Sequence, residues 1–246
     1  MSEDVNNQLV LISGESASGK STSLMNIRDQ PDWLYLGCEA GKRLPFRNKF
    51  NDIRISDPYQ VYEGFDAATG DGEIADETKG IIIDTSTYLM DMYESQYVLP
   101  SSNGQKAWSD YAQYWKNLLQ TKVVLFEKPV IILAHTKTSY DKELLANVTC
   151  VPVKGALANN GIESYFSTVV STKKMTLKDL EPYENDLLTI TEDDEILGYK
   201  HVFQTRLTKA TIHERIRSPM GLFSREETYI NNDAQLLLDR LNDFYN

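Results

Sequence analysis

Short apolar runs alternate with longer amphipathic stretches through the first half of the chain. Residues 9–12 (LVLI), 33–37 (WLYLG), 80–84 (GIIID) and 129–134 (PVIILA) read as strands, with a shorter one over 52–55. Compact apolar runs of this kind suit strands covered on both faces, as in a parallel sheet. Helix patterns lie between them. Tyr59, Val61, Tyr62 and Phe65 fall near helical spacing within 58–68, and 87–97 reads as a second helix. Trp108, Tyr111, Tyr114, Trp115, Leu118 and Leu119 put an apolar stripe on a long helix over 107–127. Residues 21–28 are expected to begin a helix directly after the first strand. Residues 66–79 and 99–105 read as loops, and 136–160 as a long loop without secondary structure.

The texture changes from residue 166. Residues 166–172, 187–191, 201–207 and 228–230 read as strands joined by polar turns, and 234–244 as a closing helix with Leu236, Leu237, Leu241 and Phe244 on its apolar side. The expected fold is α/β: a mostly parallel central sheet flanked by helices, with an antiparallel extension of the same sheet on its C-terminal side. Residues 1–246 are expected to form one domain.

Composition narrows the setting. The chain has 246 residues, 41% hydrophobic and 25% charged, and holds no apolar run long enough to span a membrane. Its first residues, MSEDVNNQ, do not read as a signal peptide. The two cysteines, Cys38 and Cys150, offer neither a disulfide framework nor zinc spacing, and read as buried free thiols of a reducing compartment. A cytoplasmic location is expected, that of a host cell if the protein is phage-encoded. The net charge of −11 argues against coating duplex DNA by bulk electrostatics, yet leaves room for a local basic groove. Two acidic stretches, 66–77 and 181–195, inflate that total and read as solvated loops or hairpin tips.

The first strand runs into GESASGKST, residues 14–22. Small residues at Gly14, Ser16, Ala17, Ser18 and Gly19 let successive backbone N–H groups point at one anion. Lys20 supplies a point charge for the outer phosphates and Ser21 a hydroxyl for Mg²⁺. The segment Gly14, Glu15, Ser16, Ala17, Ser18, Gly19, Lys20, Ser21 and Thr22 is therefore the candidate cradle for ATP with Mg²⁺. Asp84 ends an isoleucine strand, where a carboxylate can support the metal. Glu39 follows the second strand and is placed to orient and deprotonate an attacking water. His135 ends another buried strand, where a polar group can sense the γ-phosphate and report to the loop after it. The competing accounts are plain ones: a Gly/Ser turn, a turn-capping Asp84, a surface Glu39 and a structural His135.

In order, GESASGKS, YLGCEA, IIIDTS, IILAHT, KGALANNGIESYFSTVVSTKK and FQTRLTKATIHERIRSP resemble the RecA-type recombinase core. Within it they look like the small phage-encoded RecA-like ATPases, including single-strand-annealing proteins of the Sak type. The resemblance covers residues 8–230. It implies ATP hydrolysis, carried by Lys20, Ser21, Asp84 and Glu39 in the roles above. His135 stands where RecA has a glutamine that couples the γ-phosphate to a DNA-binding loop. Segments 96–106 and 136–160 match the two DNA-facing loops, the second carrying Lys137, Tyr140, Lys142 and Lys154. Segment 206–217 matches the one that completes a neighbour's ATP site, with Arg206, Lys209, Arg215 and Arg217; Lys209 and Arg215 are the candidates to act in trans.

The implied partners are single-stranded DNA, further copies of the chain with ATP sites at subunit interfaces, and a single-strand-binding protein. Rings or short assemblies are expected, because few residues precede the first strand. Three other functions stay open: a ring-forming, helicase-like motor without recombinase activity, a small-molecule kinase, and a nucleotide switch that does not hydrolyse. Sparse Lys and Arg between Asp84 and His135 argue against a kinase lid there.

Overall fold

Alternate residues of the central strands face opposite ways, and both sets are covered in this computed structural model, which describes residues 5–246. The strands are β1 (Leu9–Gly14), β2 (Trp33–Gly37), β3 (Asn51–Arg54), β4 (Gly80–Asp84), β5 (Val130–His135), β6 (Lys137–Asp141), β7 (Ala146–Cys150), β8 (Thr168–Thr176), β9 (Tyr199–Gln204) and β10 (Tyr229–Asn231). The helices are α1 (Tyr59–Ala68), α2 (Ser86–Tyr93), α3 (Gly104–Asn117), α4 (Val123–Phe126), α5 (Leu177–Leu180), α6 (Glu192–Leu197) and α7 (Ala234–Tyr245).

Eight strands form one sheet in the order β10-β9-β8-β1-β5-β4-β2-β3. The pairs from β8 through to β3 are parallel, and β9 and β10 add antiparallel to that edge. Leu9, Leu11, Leu34, Leu36, Ile81 and Ile83 face one core, against α1, α2 and α3. Val10, Ile12, Trp33, Tyr35, Ile82 and Ile131 face the other, where α7 packs through Leu237, Leu238 and Leu241. Burying both faces explains why these strands read as unbroken apolar runs.

The structure departs from the sequence reading in several places. The stretch after the P-loop is one 3₁₀ turn, Ser21–Leu24, rather than a helix over 21–28. The Ser23 hydroxyl bonds back to the Lys20 carbonyl at 2.6 Å, the local competition by which Ser and Thr weaken helices. Residues 136–160 are not structureless: β6 and β7 pair as an antiparallel hairpin. Its tip is set by Asp141, whose Oδ1 accepts the amides of Glu143 and Leu144. Residues 187–191 form no strand: the Asn231 amide donates to the Leu187 carbonyl, but the Thr189 amide donates to the Asn231 side chain and the Tyr229 carbonyl accepts from the Asn185 side chain, so no backbone ladder forms. The acidic stretch 181–195 contains helical turns and runs into α6, which starts at a capping box between Thr191 and Asp194. β8 is parallel to β1, so the antiparallel extension begins one strand later than the change in texture at residue 166.

The helical run expected over 107–127 starts earlier, at Gly104, where Asn103 accepts the Lys106 amide as N-cap. It passes through a π-helical turn at Leu118–Lys122 and ends at Phe126, before Glu127 in the left-handed region. A second π-helical turn, Glu94–Val98, ends the α2 run.

Candidate functional site

Four strands deliver their last residues to one corner. Gly14 ends β1 beside His135 at the end of β5, and Gly37 ends β2 beside Asp84 at the end of β4. Glu39 follows two residues after Gly37. Beyond the carboxyl ends of parallel strands is where such sheets bind ligands.

The P-loop curls tightly after Gly14. Ser18 donates both its amide and its hydroxyl to the Glu15 carbonyl, at 3.3 and 2.7 Å. Ala17 sits at φ 60° and Gly19 at φ 107°. A Cβ on Gly19 would lie 2.8 Å from Asn232 Nδ2, so that position needs glycine for both conformation and space. Two residues brace the loop from outside: His201 Nδ1 lies 2.8 Å from the Ser18 carbonyl, and Asn232 Nδ2 donates to the Gly19 carbonyl at 2.9 Å. The hydroxyls of Ser18 and Thr172 are hydrogen-bonded to each other. Glu15, Ser16, Ala17 and Thr22 are exposed.

Lys20 is buried, and its ammonium donates to the carbonyls of Gly14 and Glu15 at 3.0 and 2.7 Å. Burial lowers its pKa to about 8, against the opposing pull of Asp84. Ser21 Oγ donates to Asp84 Oδ2 at 3.1 Å, and the Tyr35 hydroxyl donates to the same oxygen at 2.7 Å. The other oxygen, Asp84 Oδ1, is buried and has no hydrogen-bond partner among the described residues. Burial raises the Asp84 pKa above the ordinary carboxylate value, despite those two donors. A buried carboxylate oxygen left unbonded, beside a serine hydroxyl, fits a divalent cation. Ser21 and Asp84 are the residues that would hold Mg²⁺.

Glu39 is held from two sides. Oε1 lies 3.1 Å from His135 Nε2, and Oε2 lies 2.5 Å from Lys42 Nζ. Burial pushes its pKa up, but the bonds from Lys42 and His135 outweigh it, and the carboxyl stays below its ordinary value. It is thus ionised at neutral pH and available as a base. His135 is fixed further by its amide, which donates to Thr87 Oγ1 at 2.9 Å, and by the Tyr88 ring edge-on to its own.

Two clefts flank this corner. One of about 510 Å³ opens before Ser21, Glu39 and Asp84, and is walled by the loop from Lys42 to Asn48 and by Arg54. The other, about 410 Å³, lies between the P-loop residues Glu15–Ser18 and the β6–β7 hairpin, with Thr136, Thr138, Thr149 and Lys173 on its walls. On the hairpin, Lys137, Tyr140 and Lys142 are exposed, whereas Lys154 is tied to Glu94 in an ion pair.

The structure does not bring Lys209 or Arg215 to this corner of the same chain. Lys209 is exposed in a turn, and Arg215 donates to the Asn160 carbonyl at 2.7 Å. Arg206 and Arg217 are tied to the Phe223 and Phe166 carbonyls. Sequence reasoning missed Tyr35, Lys42, His201 and Asn232. Tyr35 shares a strand face with Gly37, and Lys42 lies one turn beyond Glu39, so both left a local trace. His201 and Asn232 left none, because only the tertiary fold carries β9 and the end of β10 against the P-loop.

The P-loop after β1, the aspartate that ends β4 beside Ser21 and the braced glutamate after β2 fit a P-loop nucleotide-binding protein of the ATPase class. The chain belongs to the AAA domain family, whose profile matches residues 6–209. No curated protein matches it significantly. Among solved structures, it is similar to the KaiC-like protein PH0186 from the hyperthermophilic archaeon Pyrococcus horikoshii OT3. That likeness has 13% identity, covers 85% of this chain and 82% of the other, and has a TM-score of 0.44. Among the described residues, no helix is long and apolar enough to cross a membrane.

Proposed function

We propose that this protein is a RecA-like enzyme that hydrolyses ATP and acts on single-stranded DNA in phage-type recombination, annealing or repair. The observation that carries the hydrolytic part is the Glu39 carboxylate, ionised and aimed by His135 and Lys42 beside the Ser21–Asp84 pair. In this reading the P-loop amides and Lys20 bind the phosphates, Ser21 and Asp84 hold Mg²⁺, and Glu39 orients water and takes its proton. Bound Mg²⁺ would supply neutralisation of charge on the phosphates.

The DNA part is supported by the hairpin that starts directly after His135. It forms one wall of the cleft beside the P-loop and presents Lys137, Tyr140 and Lys142 to solvent. Cations with an aromatic ring suit a single strand, whose backbone is anionic and whose bases stack. Further copies of the chain complete the site from a neighbour, with Lys209 and Arg215 as candidates, and a single-strand-binding protein is a further partner. Residues 1–246 act as one domain.

The test is phosphate release from Mg²⁺ and ATP, with and without single-stranded DNA, against Lys20→Ala as the blank. Stimulation by DNA supports the whole reading. Hydrolysis indifferent to DNA removes the recombination part and leaves an ATPase with another target.

A further inference from the structure

The cleft before Ser21 and Asp84 has a cationic wall that the chemistry above does not use. Residues 42–54 contain Lys42, Arg43, Arg47, Lys49 and Arg54 against one acid, Asp52, in a chain of net charge −11. Lys42 is spent on Glu39. Arg43, Arg47 and Arg54 line the cleft, are exposed, and form no ion pair or side-chain hydrogen bond among the described residues. Between the cations, Leu44 and Phe46 are half-buried and Pro45 is exposed.

The same end of the sheet carries the opposite charge on its other flank. β8 is parallel to β1, so the excursion between β8 and β9 emerges at the P-loop end. Its Glu181, Glu184, Asp186, Glu192, Asp193 and Glu195 are exposed and unpaired among the described residues. Next to them Ile196 and Leu197 are 76% and 59% exposed. Five strand spacings of about 4.8 Å separate β9 from β2, so the two flanks start roughly 24 Å apart, and no hydrogen bond or ion pair joins them among the described residues.

We propose that the basic loop of one copy receives the acidic β8–β9 excursion of a second copy of this chain. Charge complementarity rims the contact, and Ile196 and Leu197 meet the apolar surface at Leu44, Pro45 and Phe46. The partner's excursion covers the open side of the cleft that holds Ser21, Glu39 and Asp84. This inference names the surfaces for the self-association in the proposed function and rests on that part of it.

Sedimentation velocity of the full chain with Mg²⁺ and ATP tests it, at about 0.05 M and about 0.5 M salt. The wild type is expected to assemble at low salt and to dissociate at high salt. Arg43→Glu with Arg47→Glu, and separately Glu192→Lys with Glu195→Lys, should each weaken self-association at least about tenfold, because like charges then face each other. Mixing the two variants in equal amounts should restore assembly, which a merely misfolded variant cannot do. Assembly unaffected by either reversal, or not restored by mixing, overturns the inference while leaving self-association intact. A wild type that stays monomeric at low salt overturns both. Loss of single-stranded DNA binding by the loop variant with assembly unchanged would make the loop a nucleic-acid surface, and also overturns it.

Discussion

Glu39 and His135 are hydrogen-bonded over the end of the strand that lies between theirs. Oε1 and Nε2 stand 3.1 Å apart, and β4, carrying Asp84, separates β2 from β5. One contact therefore ties the candidate base to the residue from which the β6–β7 hairpin departs. Whatever moves the His135 ring shifts the orientation of Glu39, and the reverse holds.

Glu39→Gln tests the base directly. The amide keeps the size of the side chain but cannot take a proton. Hydrolysis should fall by about 10²- to 10⁴-fold, the usual worth of a positioned general base. Nucleotide affinity should stay near wild type, since Glu39 lies off the P-loop contacts. Phosphate release and binding of a fluorescent nucleotide separate the two effects. Unchanged hydrolysis would mean that the Glu39 cluster is structural.

Tyr35→Phe removes one of the two donors to Asp84 Oδ2 and leaves only Ser21. A carboxylate that already resists ionisation because it is buried then loses part of its support. Mg²⁺ affinity should drop roughly tenfold or more, as for other residues that orient a metal-holding group. The reading is a titration of activity with Mg²⁺ at saturating nucleotide. The half-saturation point should rise while the rate at high Mg²⁺ recovers. A lower rate at every Mg²⁺ concentration would point to a wider disruption.

Gly19→Ala probes the brace on the P-loop. A non-glycine residue held at a strained φ costs about 1–3 kcal/mol, and here its Cβ also meets the Asn232 amide. The variant should melt at lower temperature and lose nucleotide-dependent stabilisation. Adding Asn232→Ala relieves the contact but not the conformation, so it should recover only part of the melting temperature. Full recovery would assign the whole effect to crowding.

The central sheet, and with it the corner where its strand ends meet, was legible because burial on both faces leaves a run such as IIID with few other interpretations. The candidate phosphate loop could be picked out because the chemistry it is proposed for demands small residues followed by Lys and Ser in a fixed order. Two other features were hidden for physical reasons. The β6–β7 hairpin is exposed on most of its length, so no apolar period marks it. The turn after the P-loop follows helical spacing in its apolar residues, yet the serine hydroxyl at Ser23 competes for the backbone there. His201 and Asn232 reach the P-loop from about 180 and 210 residues away in sequence, across a distance that only the folded sheet closes.

Lys20 should make nucleotide binding depend on pH. Its pKa in the free protein is about 8, below the ordinary 10.5, because the ammonium is buried. The free fold therefore favours the neutral amine relative to the unfolded chain. Below about pH 8 both states carry the proton, and the buried charge lowers stability by its full amount; above 10.5 both are neutral and that loss is gone. Bound phosphates reverse the preference, since an anion beside the ammonium favours the charged form. Binding should thus take up a proton when the free amine is neutral, and affinity should fall as pH rises above about 8. Calorimetry of nucleotide binding in buffers of different ionisation enthalpy reads this uptake. It should be small near pH 7, and approach one proton as pH rises above about 8. Lys20→Arg, which stays charged throughout this range, should abolish the uptake while retaining weakened binding. A wild type that binds nucleotide equally well across that range, with no proton uptake, would show that Lys20 is already charged in the free protein and that its burial is relieved by solvent.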